Sequence, residues 1–62
     1  MNKGDRVKIL NLNGNKKGKI AEVFQFGNTK YYRVVYQNLG DVFIHTTTEK
    51  NLMREIKDEG GL

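Results

Sequence analysis

Sixty-two residues make one small domain, which buries only about 60% of its unfolded surface and has no room for a catalytic domain with its own cleft. With no cysteine and a single histidine, disulfides, thiolate chemistry and the usual zinc-ligand sets are excluded, and neither a metal nor another cofactor is expected. The net charge of +4 is uneven: residues 1–31 carry seven Lys or Arg against Asp5 and Glu22, a net of +5, whereas residues 32–62 carry four against five acids, a net of −1.

The first strand is expected near Asp5–Leu10, where Val7 and Ile9 alternate with polar residues. It enters a loop built on Asn13-Gly14. The chain leaves through Lys16-Lys17-Gly18-Lys19 into a second strand near Gly18–Phe26, marked by Ile20 and Val23. Two glycines four apart let this lysine-rich connection turn sharply and display its charges on one short loop. Gly27-Asn28-Thr29 reads as a hairpin turn, followed by a third strand near Lys30–Tyr36. Gln37-Asn38-Leu39-Gly40 is a second turn, leading to a fourth strand near Asp41–Thr46. Thr47 to Asn51 suits one helical turn, with Thr48 as N-cap and Glu49 near its positive end. Leu52 to Ile56 closes the domain, and the polar segment 58–62 is expected to fray. The expected class is all-β: five short strands with a helical turn before the last, in a single domain over 1–57. No apolar run approaches the roughly 20 residues of a membrane span and no signal-peptide core follows Met1, so a soluble, cytoplasmic protein is expected.

Alternation sorts the side chains. Arg33 belongs in solvent, which sends Tyr32, Val34 and Tyr36 inward and leaves Tyr31 and Val35 beside the arginine. The expected core is Val7, Ile9, Ile20, Val23, Tyr32, Val34, Val42, Ile44, Leu52 and Ile56. Phe24 or Phe26, Tyr31, Val35 and Phe43 are then left to share an outer face with Arg33 and His45. Alternatively, a bulge in the second strand or strong sheet curvature turns some of these rings inward.

The segment Gly4-Asp5-Arg6-Val7, with Gly18-Lys19-Ile20, Tyr32-Arg33-Val34-Val35-Tyr36 and Glu49-Lys50-Asn51-Leu52, resembles the KOW motif of SH3-like barrels in ribosomal and transcription-elongation proteins. The likeness covers about Lys3 to Ile56. It implies a five-stranded SH3-like barrel with Leu52 plugging its interior, and RNA contact through the basic residues beside the signature glycine, Lys16, Lys17 and Lys19. It also implies protein contacts through the outer face.

Two functions from different classes follow. In the first, a non-catalytic module binds RNA or single-stranded nucleic acid: Lys16, Lys17, Lys19 and Lys30 meet phosphates while Phe24, Tyr31 and Arg33 stack on bases. In the second, the chain is a protein-binding adaptor, or a phage or mobile-element inhibitor of the anti-CRISPR or polymerase-binding kind. It would dock through Phe26, Tyr31, Val35, Phe43 and His45, as a monomer or a homodimer that hides this face. An enzyme is not expected. His45 has threonines beside it but no carboxylate placed to orient it, and Asp41 lies roughly 13 Å away along an extended strand. The glycines around Lys16 lack both the spacing and the following helix of a phosphate loop.

Overall fold

The computed structural model describes residues 1–10, 12 and 14–55. Asn13, Ile56 and the segment 58–62, for which a turn, a core position and a frayed tail were expected, lie outside the described residues. Five strands form one antiparallel sheet: β1 (Arg6–Ile9), β2 (Lys16–Phe26), β3 (Thr29–Asn38), β4 (Asp41–Thr48) and β5 (Leu52–Arg54). A 3-10 turn, Glu49–Asn51, precedes β5. The all-β class and its helical turn are as expected. The sheet order is β4-β3-β2-β1-β5, so β4 and β5 are its two edges.

Local chemistry fixes the turns. Asp5 N–H donates to the Asn2 carbonyl at 3.0 Å, and Gly4, at φ 94°, occupies the third position, where a type II turn needs positive φ. The β2–β3 hairpin closes on the Phe26–Thr29 pair, with Gly27 at φ 67° as its first central residue. The β3–β4 hairpin is tighter than expected. Gln37 and Asn38 belong to the ladder, opposite Val42 and Asp41, and only Leu39 and Gly40 turn the chain. Both have positive φ, 55° and 87°, the combination of a type I′ turn.

The core is made by Val7, Ile9, Ile20, Tyr32, Val34 and Leu52, all buried, with Met1, Leu12, Val23 and Tyr36 packed against them. Ile20 and Val23 differ in parity, yet both turn toward the core. The register of β2 shifts between Ile20 and Glu22, and this bulge at Ala21 resets the alternation. Gly18 lies opposite Val7 on β1 and Tyr36 on β3, where β3 comes so close that no side chain fits.

Two expected core residues are outside. Val42 and Ile44 are 60% and 62% exposed. Opposed residues of an antiparallel pair share a face, and β4 sets Phe43 against Tyr36, His45 against Val34 and Thr47 against Tyr32. The odd-numbered residues of β4 therefore share the core face, and Val42 and Ile44 must share the outer one. Thr47 is the buried member, its Oγ1 accepting from Asn51 Nδ2 at 3.0 Å. Thr48 occupies the N-cap position of the 3-10 turn, but its side chain makes no capping bond.

Candidate functional site

Because Val7 and Ile9 point inward, Arg6 and Lys8 point outward from β1. On β2 the inward residues at this level are Gly18 and Ile20, so Lys17 and Lys19 point outward. The register sets Arg6 opposite Lys19 and Lys8 opposite Lys17. Four cations thus meet as two like-charged cross-strand pairs, one row about 6.6 Å along from the other. Glu55 is the carboxylate that reaches them, 3.6 Å from Lys17 Nζ. Arg6, Lys8 and Lys19 have no ion-pair partner among the described residues. Beside this cluster runs an open groove of about 900 Å3. Arg6, Lys17 and Lys19 line one side, and Val35, Gln37 and Val42 of β3 and β4 line the other.

The residues expected to bind phosphate are divided. Lys17 and Lys19 belong to this cluster, but as strand residues, since β2 begins at Lys16 and the basic segment is not a loop. Lys16 pairs with Ile9 on the core side, and its Nζ donates to Asn38 Oδ1 at 3.3 Å. Lys30 sits by the far hairpin opposite Gln25, about 20 Å along β2 from Lys19.

Phe24, Tyr31 and Arg33 do share the outer face, but they are occupied with one another. The Phe24 and Tyr31 rings stack with centroids 5.6 Å apart, and the Arg33 guanidinium lies 5.3 Å from the Phe24 centroid. Arg33 Nη1 also donates to Glu22 Oε1 at 2.6 Å.

The expected protein-binding set is split across the sheet. Phe26, Tyr31 and Val35 are on the outer side, whereas Phe43 and His45 share the core side of β4. Phe43 stacks on Tyr36 with centroids 5.6 Å apart. The single shared outer face is thus corrected to two faces, because β4 has the opposite parity to the one expected.

Arg6 and Lys8 are the members of the cluster that the sequence reading passed over. Their signal was present in the alternation Arg6-Val7-Lys8-Ile9, which puts two cations on one side of a strand whose other side is core. Among the described residues no three His, Cys, Asp or Glu side chains converge as metal ligands, and no helix is long and apolar enough to cross a membrane. Comparison with family models, characterised proteins and solved structures found no match.

Proposed function

We propose that the chain is a non-catalytic module that binds RNA or another single-stranded nucleic acid on its outer face, in a cytoplasmic setting. The observation that carries this reading is the pairing of Arg6 with Lys19 and of Lys8 with Lys17 across β1 and β2. Like charges directly opposed on neighbouring strands destabilise a sheet. Two such pairs side by side oppose folding; Glu55 offsets Lys17, and an anion lying across Arg6, Lys8 and Lys19 would offset the rest. Beside the cations the groove offers the aliphatic surface of Val35 and Val42, against which bases can pack without an aromatic ring to stack on, and the Glu55 carboxylate near Lys17. The KOW resemblance points the same way, and its basic residues beside Gly18 are represented here by Lys17 and Lys19.

Fluorescence anisotropy with labelled single-stranded RNA, single-stranded DNA and duplex DNA, over a series of salt concentrations, tests the reading. If all four cations meet phosphates, affinity should fall by roughly 3 log units per log unit of salt, at about 0.7 for each contact. Replacing Lys17 and Lys19 with Ala should reduce that slope by about half and weaken binding. An unchanged slope in the double variant, or no preference among the three nucleic acids, would remove the proposal.

A second reading, docking on a protein, is favoured by the exposure of Val42 and Ile44 on the outer side of β4. It is distinguished by capture of a protein partner that survives high salt and is lost in Ile44→Ala.

A further inference from the structure

The two edges of the sheet are unlike. β5 is three residues long and includes Arg54, with Glu55 following. β4 is an eight-residue edge, Asp41-Val42-Phe43-Ile44-His45-Thr46-Thr47-Thr48, with no lysine, arginine or proline and one acid at its start. Long, uncharged, β-branched edges are what soluble domains usually shorten, charge or cover, because their free N–H and C=O groups template another strand. Which groups are free follows from the hairpin. Its two-residue turn closes on the Asn38–Asp41 pair, so Asp41, Phe43, His45 and Thr47 direct their backbone groups to β3. Val42, Ile44 and Thr46 therefore direct theirs away from the sheet.

We infer that the β4 edges of two copies of this chain pair antiparallel about a twofold axis at Ile44, joining two five-stranded sheets into one of ten strands. In that register Ile44 faces Ile44 of the second copy and Val42 faces its Thr46, giving about six backbone hydrogen bonds from the three residues on each side whose backbone groups have no partner among the described residues. On the core side Phe43 faces His45 of the second copy, and Asp41 faces its Thr47. No like charges oppose one another. That self-complementarity is why a second copy, rather than a foreign strand, is the occupant. Val42 and Ile44, the exposed apolar pair, become the centre of the joined outer face. The basic clusters stay open because the new pairing lies in the plane of the sheet, so the inference does not depend on nucleic-acid binding.

Sedimentation equilibrium at increasing protein concentration, with circular dichroism to monitor folding, tests it. The wild-type chain should dimerise. Ile44→Lys and Ile44→Glu, each of which sets like charges against themselves, should weaken association about tenfold or more while the sheet signal persists. Mixing the two variants should restore a one-to-one dimer, which an unfolded variant could not do. A wild-type chain that stays monomeric at millimolar concentration would overturn the inference. So would a dimer indifferent to both substitutions, or a mixture no more associated than its components.

Discussion

Adding one methyl group at Gly18 should cost this domain much of its stability. A Cβ there would lie 2.6 Å from the Val35 carbonyl oxygen, 2.7 Å from Val34 Cγ1 and 3.1 Å from Tyr36 Cβ. The first contact is with the β3 backbone beside Gly18↔Tyr36, the end pair of the β2–β3 ladder, so relief requires β3 to move away from β2 there. Val34 is fully buried and cannot swing away. Overpacking of this kind costs about 1–3 kcal/mol, and the backbone contact argues for the upper half. Replacing glycine also restricts the unfolded chain, which returns about 0.4–1 kcal/mol. A net loss of roughly 2 kcal/mol remains, against the 3–5 kcal/mol or so that a core this small supplies. The melting temperature of Gly18→Ala should then fall by about 8–16 °C, at about 4–8 °C per kcal/mol. Urea unfolding followed by circular dichroism gives the free energy independently, and the denaturant slope should hold if the native state stays compact. Val34→Ala in the same chain removes the Cγ1 contact and leaves the carbonyl, so the double variant should be destabilised by less than the sum of the two. A loss under about 0.5 kcal/mol for Gly18→Ala, within the range of an ordinary surface change, would refute the close approach of β3.

Parity on β4 makes a paired prediction. Ile20→Ala should cost about 2–5 kcal/mol and leave the chain largely unfolded, whereas Ile44→Ala, at a position 62% exposed in the single chain, should change urea stability by about 0.5 kcal/mol or less at protein concentrations too low for dimerisation. Leu39 is 95% exposed at φ 55°, where a side chain costs about 1–2 kcal/mol, so Leu39→Gly should raise the melting temperature by several degrees. Lys19→Ala relieves the repulsion with Arg6. It should stabilise the fold by a few tenths of a kcal/mol at low salt, lose that gain at high salt, and weaken nucleic-acid binding.

What the sequence disclosed depended on how far each signal reached along the chain. Strands β1 and β3 were legible because a single alternation, Val7/Ile9 or Tyr32/Val34/Tyr36, settles a face without reference to any neighbour. The bulge at Ala21 was implicit in placing both Ile20 and Val23 in the core, since residues three apart cannot share a face of a regular strand. On β4 apolarity points the wrong way, because Val42 and Ile44 are the more apolar set and yet lie on the outer face. The turn decides instead. A hairpin loop with an even number of residues pairs the even-numbered core residues of β3 with odd-numbered residues of β4. Even the four-residue turn expected over Gln37–Gly40 would have placed Phe43, His45 and Thr47 on the core side. The basic cluster was half legible: Lys17 and Lys19 stood out as a run, whereas Arg6 and Lys8 join them only through a register that no local pattern states.

The outer face is divided by strand. Its cations stand on β1 and β2, as Arg6, Lys8, Lys17 and Lys19, while β3 and β4 contribute Val35, Gln37, Val42, Ile44 and Thr46, with Arg33 held by Glu22. A surface selected only for solubility would intersperse both signs, because alternating charges across strands stabilise a sheet and like charges weaken it. Here the repulsion is concentrated on the two strands that also supply Val7, Ile9 and Ile20 to a six-residue buried core, where a small domain can least spare stability. Four solvating cations would serve equally well on loops. Placing them in two facing pairs beside a groove, with Glu55 paired to Lys17 alone, costs the free protein stability that an anion bound across them would return, so the proposed nucleic-acid binding predicts a melting temperature that rises with added single strand.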